Sequence, residues 1–136
     1  MLELLSPAGS MEALRAAVQN GANAVYLGYD RFNARMGAQN FSADELQEAI
    51  VYCHVRGVKV HLTLNTLVSD REMARAAEVI RAAAVFGVDA FIVQDLGMVQ
   101  LCKEIAPSVQ IHASTQMSIH SLEGVVAAAE LGCSRV

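Results

Sequence analysis

Four segments of the 136-residue chain repeat one pattern: NGANAVYLG at 20–28, RGVKVHLTL at 56–64, FGVDAFIVQ at 86–94 and LGCSRV at 131–136. Each sets a glycine where an amphipathic stretch stops, and an apolar, strand-like run resumes two or three residues later. A glycine that closes a helix and is followed at once by a strand is the joint of a βα unit. Repeated joints of this kind predict a parallel sheet covered by helices, which is an α/β fold.

The stretches between the joints fit that scheme. A first strand is expected over 3–5, then the turn Ser6-Pro7-Ala8-Gly9, with Ser10 capping a helix that aligns Met11, Leu14 and Val18. The second strand, 24–27, leads into the longest loop, 28–41, which carries Arg31, Asn33 and Arg35. Ser42 with Glu45 reads as a capping box before Leu46, Ala49, Ile50 and Cys53. The third strand is 58–64. Ser69 with Glu72 reads as a second capping box, ahead of Met73, Ala77, Ile80 and Ala84.

The fourth strand, 90–93, empties into Gln94-Asp95-Leu96-Gly97, and the next helix, with Met98, Leu101, Cys102 and Ile105 aligned, is halted by Pro107. The fifth strand is 109–112. It opens into a polar turn through Ser114, Thr115 and Gln116, and a fifth helix over 121–131 should turn Leu122, Val125, Val126 and Ala129 inward. Ser134, Arg135 and Val136 then begin a sixth strand that does not finish, so the chain reads as cut.

About five βα units and a stub fall short of the roughly 250 residues of a (β/α)8 barrel, but they match its first half. Doubly wound sheets share the alternation, so the pattern alone keeps an open sheet as the alternative. The expectation is one incomplete barrel domain, 1–136, the N-terminal portion of a longer parent. Its open edge would expose unpaired backbone and favour self-association.

Side chains alternate along a strand, so Val60, Leu62 and Leu64 should face the helices while Lys59, His61, Thr63 and Asn65 face inward. In the fifth strand Gln110, His112 and Ser114 face inward by the same rule. Taken as adjoining, the two strands offer a polar interior where barrels usually pack branched apolar residues. Buried polar groups need partners, so this predicts a satisfied hydrogen-bond network or a wet ligand cavity.

Several function classes are disfavoured. No apolar run approaches the roughly 20 residues of a membrane helix, and the start MLELLSPAGS resembles neither a secretory signal nor a transit peptide. Cys53, Cys102 and Cys133 are far apart and read as reduced, packed thiols of a cytoplasmic protein. A formal charge of −4 argues against a surface built chiefly to grip phosphate backbones. There is no GxGxxG, phosphate-loop GKS or GKT, HExxH or GxSxG.

The candidate site residues gather at strand exits, where parallel α/β proteins place their chemistry. Asp95 and His112 are candidates to move protons, with a cap or turn role as the alternative for Asp95. Asn65, Gln94, Ser114 and Gln116 could orient a substrate. Arg31 and Arg35 could clamp a carboxylate or phosphate in a bidentate way, or be solvated loop charges. His61 and His112 are weak candidates for metal ligands, against the plainer reading of two hydrogen-bonded core histidines.

Six blocks, ELLSPAG (3–9), GANAVYLG (21–28), FNAR (32–35), YCHVRGVKVHLTLNT (52–66), VDAFIVQDLG (88–97) and IHASTQMSIH (111–120), together resemble the collagenase-like peptidases of family U32, of unknown catalytic type. The resemblance covers essentially the whole chain and implies the N-terminal part of that family's TIM-like barrel.

The resemblance also implies an activity for the intact parent: oxygen-independent hydroxylation of an RNA base, in ribosomal RNA or tRNA, or of a ubiquinone precursor. Prephenate is then the expected co-substrate and oxygen donor. The pairing of VQDLG with IHASTQ is nearest the branch acting on ribosomal RNA. An iron–sulfur cluster occurs in some branches through cysteines in the family's later part, which Cys53, Cys102 and Cys133 do not match, so no cofactor is expected in this segment. Arg31 and Arg35 would hold the anionic donor, with Asn65, Gln94, Asp95, His112, Ser114 and Gln116 lining the barrel mouth. Two alternatives remain: a metal-dependent peptidase or collagenase, and an inactive fragment or assembly module.

Overall fold

A computed structural model describes residues 2–34 and 40–136. Strands β1 (Leu5–Pro7), β2 (Ala24–Gly28), β3 (Lys59–Leu64), β4 (Ala90–Val93) and β5 (Gln110–Ala113) alternate with helices α1 (Met11–Gln19), α2 (Ala43–His54), α3 (Met73–Phe86), α4 (Leu96–Ile105) and α5 (Leu122–Leu131). One 3-10 turn, Thr115–Met117, lies between β5 and α5.

The joints form as their residues dictate. Gly21, Gly57, Gly87 and Gly132 have φ of 90°, 72°, 95° and 102°, a region where a Cβ would crowd the backbone, and each ends or follows a helix. Ser10 and Ser121 accept from the N–H groups of Ala13 and Gly124. Ser42 and Glu45 make both halves of the expected capping box. The second expected box is only half made. Glu72 itself occupies the cap position of α3, so Ser69 lies a turn too early and its hydroxyl donates to Glu72 Oε2 at 2.6 Å instead of accepting a backbone N–H.

All five strands are parallel and lie in the order β1-β2-β3-β4-β5. A doubly wound sheet reverses its strand order at a switch point, whereas a barrel adds each strand beside the last. Strictly sequential order therefore excludes the open sheet, and the chain is the opening portion of a TIM-like barrel. The sixth-strand start is also present: Ser134 N–H donates to Ile111 O and Ala113 N–H donates to Arg135 O, each at 2.8 Å.

Register fixes two opposed faces. Leu27, Leu62, Phe91 and Ile111 are successive partners across β2 to β5 and all are buried in the hydrophobic core. Gly28, Thr63, Ile92 and His112 form the row on the opposite face. Contrary to the expectation that they adjoin, the two polar strands are separated by β4. Its residue paired with both His61 and Gln110 is Ala90, whose single methyl leaves room for the imidazoles of β3 and β5 to meet.

Helix α5 departs from expectation. Leu122, Val125, Val126 and Ala129 stay exposed and only Ala128 is buried, because α5 follows the last full strand and the neighbour that would cover its apolar face is not among the described elements. Among the described residues no helix is long and apolar enough to cross a membrane.

Candidate functional site at the strand exits

The exits of β1, β2, β3 and β5 surround a cavity of about 530 Å³. Its walls come from Leu5, Ala8 and Gly9 of the first βα unit, Tyr26 to Gly28 of β2, and Asn33, Ala34 and Asn40 of the following loop. Thr63 and Asn65 of β3, Ile92 of β4, a run from His112 to Gln116, and Arg135 with Val136 complete it.

Close backbone approach shapes the rim. A Cβ on Gly28 would sit 2.8 Å from the Asn33 side chain and 2.9 Å from Asn40 Oδ1, so the missing side chain lets these amides lie against the exit of β2. Phe32, buried at φ 62°, spends its strained backbone on turning the loop so that its ring enters the core while Asn33 meets the cavity. Asn33 Nδ2 donates to Tyr29 O at 2.9 Å and to Asn40 Oδ1 at 3.0 Å. Asn65 ties the loop to the sheet, accepting from Ala34 N–H at 3.0 Å and donating to Ser114 Oγ at 3.5 Å. The expected choice between network and cavity resolves as both, a hydrogen-bonded rim around an open space.

Beneath the rim, the His61 and His112 rings meet edge to face, their centroids 4.8 Å apart, and both are buried. Burial is the main cause that lowers both histidines from the ordinary value of 6.5, His112 to about 4, aided there by His61 and Arg135. Both imidazoles are therefore neutral near pH 7. They form hydrogen bonds readily, but protonate reluctantly. His61 Nδ1 is buried with no hydrogen-bond partner.

The candidate residues sort clearly. Asn65, His112, Ser114 and Gln116 come together on the cavity wall, while Gln94, half-buried after β4, is not among its lining residues. Asp95 caps α4: its Oδ1 accepts from Gly97 and Met98 N–H at 2.7 and 3.2 Å, and its Oδ2 accepts from Val68 N–H at 3.3 Å. The geometry thus gives Asp95 the cap role and takes it away from the cavity. Asp95→Ala is expected to cost about 1–2 kcal/mol of stability, the range of a lost helix cap, and to leave ligand affinity of the cavity unchanged in a titration.

Arg31 is exposed and outside the lining; its charge lies near Glu72, where it adds to the hydrogen bonds from Ser69 that lower that carboxyl. Arg35 lies outside the described residues. His61 sits behind His112 rather than on the wall, and among the described residues no three His, Cys, Asp or Glu side chains group as a metal site. Cys53, Cys102 and Cys133 are all buried, and burial raises their thiols, Cys53 to about 11 and Cys102 to about 12, so without a partner they stay protonated at neutral pH.

Sequence reasoning missed Asn33 and Asn40 as wall residues, although the glycine ending GANAVYLG marked the close approach. It also missed Arg135, the one charged side chain among the described lining residues. The joint pattern placed Arg135 on a strand, but nothing local announced that its guanidinium Nη1 donates to Glu3 Oε1 at 2.7 Å, 132 residues away.

The family described as Peptidase family U32 matches residues 9–136. An uncharacterized protease of Methanocaldococcus jannaschii is 41% identical over 88% of this chain and 29% of its own length. The 23S rRNA 5-hydroxycytidine C2501 synthase of Escherichia coli is 38% identical over 99% of this chain and 20% of its own. The tRNA hydroxylation protein P1 of Bacillus subtilis is 34% identical over 98% and 32%. The chain thus spans a third or less of these relatives. Among solved structures, a U32 peptidase superposes with a TM-score of 0.75 at 14% identity, over 98% of this chain and 56% of that one. A deoxyribose phosphate aldolase from Aeropyrum pernix gives 0.76 at 15%, over 97% and 62%. At such identities these two likenesses speak for the fold alone.

Proposed function

Since the chain belongs to peptidase family U32, we propose that it forms the opening part of a cytoplasmic enzyme that hydroxylates a pyrimidine base in RNA. The observation that carries this reading is the rim of amides and hydroxyls from Asn33, Asn40, Asn65, Ser114, Thr115 and Gln116. Side-chain amides offer donors and acceptors in pairs, and hydroxyls turn to suit either. Such a rim matches the hydrogen-bonding edge of an uncharged heterocycle. Enzymes that act on a base must take it out of the stack and read that edge in a pocket. Two of the three relatives above are named for RNA hydroxylation.

In this reading Asn65 and Ser114 hold the base, Gln116 closes over it from the turn after β5, and neutral His112 beneath hydrogen-bonds without carrying charge. The chain's acidic balance leaves the phosphate backbone to the rest of the parent. Prephenate is the oxygen donor, and an iron–sulfur cluster in the parent would be held by cysteines outside this chain. Nucleoside mass spectrometry of RNA from cells lacking the parent gene tests the reading. A hydroxylated pyrimidine should vanish and return with the intact gene. An unchanged nucleoside profile, or casein cleavage by the purified parent that stops with chelator, would replace this reading with the peptidase one.

A further inference from the structure

Two apolar side chains stand outward on α2: Val51 is 58% exposed and Val55 72%. Leu46, Ala49, Ile50 and Cys53 turn to the core, and on the opposite side Asp44, Glu48, Val51, Val55 and Arg56 share a shallow groove with Tyr52. Asp44, Glu48, Val51 and Val55 follow one another by steps of four, three and four residues, the spacing that makes one continuous seam along a helix.

Completing the barrel would not cover this seam. In a closed ring each helix packs against the one before it and the one after it, and α2 already packs against α1 and α3. The uncovered face of α5 follows from its place beside the last full strand, whereas that of α2 has no such cause. β-branched residues also weaken a helix slightly, so local structure gives no reason for the two valines.

The charges along the seam run in one direction. Asp44 and Glu48 occupy its first half and Arg56 its end, as suits the helix dipole. Such a run is also complementary to its own reverse. Tyr52 lies midway between Glu48 and Arg56, so a two-fold axis at Tyr52 sets each Glu48 opposite the Arg56 of the other copy, with the valines of both between them. Arg56 is already oriented: its guanidinium stacks on the Tyr52 ring at 3.7 Å and its Nη1 donates to Tyr52 O at 2.9 Å. Little side-chain freedom is then left to lose on pairing. Glu48 pairs with Arg15 of α1 at 3.0 Å, both side chains being exposed. A contact of that kind is worth little in water, and a carboxylate accepts from two guanidinium groups at once.

We propose that the outward face of α2 is a homodimer interface, its occupant the same helix of a second copy of this chain, antiparallel across a two-fold axis at Tyr52. Pairing of one patch with itself is the commonest way in which soluble chains associate. One helix stripe is smaller than the roughly 800 Å² per partner of a standard interface, so the dimer is weak and concentration-dependent. The pairing is independent of the chemistry at the strand exits, because the seam lies on the outside of the helix layer.

Sedimentation velocity of the purified protein, from micromolar to near-millimolar concentration at neutral pH, tests it. The sedimentation coefficient should rise toward that of a dimer. Glu48→Arg and Arg56→Glu each set like charges against one another across the axis, and each should weaken association at least about tenfold. An equimolar mixture of the two variants should associate about as well as the wild-type protein, because both cross-axis contacts then join opposite charges. Recovery on mixing also shows that neither variant has merely failed to fold.

A protein that stays monomeric at every concentration, or a mixture that does so, would overturn the proposal. Association that neither variant moves would assign it to the open edge of the sheet and overturn it equally. An intact parent that is monomeric, while this chain dimerises in the charge-dependent way, would give the face to a later segment of the parent instead of a second copy.

Discussion

Truncating Phe91 to alanine is expected to lower the unfolding free energy by about 3–5 kcal/mol, the range for removing a buried phenylalanine and leaving its cavity behind. Phe91 is fully buried at the centre of the row Leu27, Leu62, Phe91 and Ile111. Its neighbours belong to a parallel sheet whose hydrogen bonds fix their spacing, so the gap cannot close by a local shift. A domain of this size has roughly 5–15 kcal/mol in hand. The substitution therefore consumes much of it, and a urea titration should show the midpoint falling with little change in slope. A loss below about 1 kcal/mol would mean that the row does not carry the core.

The second large effect is a dependence on pH between neutrality and mild acid. His112 has a folded value of about 4 against an ordinary 6.5, through burial first and then the nearby His61 and Arg135. His61 is lowered as well, again chiefly by burial. Over that interval the unfolded chain takes up protons that the folded chain refuses, so stability rises with pH. The histidine contribution is fully present above 6.5, falls as the pH drops toward 4, and levels off below.

For His112 alone the difference is worth about 3 kcal/mol at roughly 1.4 kcal/mol per pH unit. Glu3 and Glu72, both lowered by hydrogen bonds, add losses of the same sign only below their ordinary 4.5. Urea midpoints measured from about pH 7 to about pH 5 therefore isolate the histidines. His112→Gln should make the curve shallower over that range, leaving the part that His61 contributes. A wild-type curve already flat there would show that the imidazoles are wet.

The two predictions rest on opposite faces of one sheet, and those faces differ in how legible they were. Val60, Leu62 and Leu64 were assigned to the helix side and His61, Thr63 and Asn65 to the interior from alternation alone. All three valine and leucine residues are fully buried, and Thr63 and Asn65 reach the cavity wall. Period-two alternation is a property of a single strand, so it survives without knowledge of neighbours. Asp95 shows the limit of local reading. Its place after a strand is shared by barrel acids and by helix caps, and only the positions of the Val68, Gly97 and Met98 N–H groups decided between them.

The sequence by itself determined the units: where helices stop, which residues cap them, which side of each strand is apolar, and that a sixth strand begins near Ser134. These are short-range matters, settled by φ at a glycine, a hydroxyl at a helix start, or the pleat. The tertiary structure alone decided what the units share. It put β4 between the two polar strands and brought the His61 and His112 rings together over Ala90. It left α5 with its apolar face uncovered and joined Arg135 to Glu3 across the barrel interior. Contacts of that kind depend on strand order and curvature, and no window of neighbouring residues encodes either.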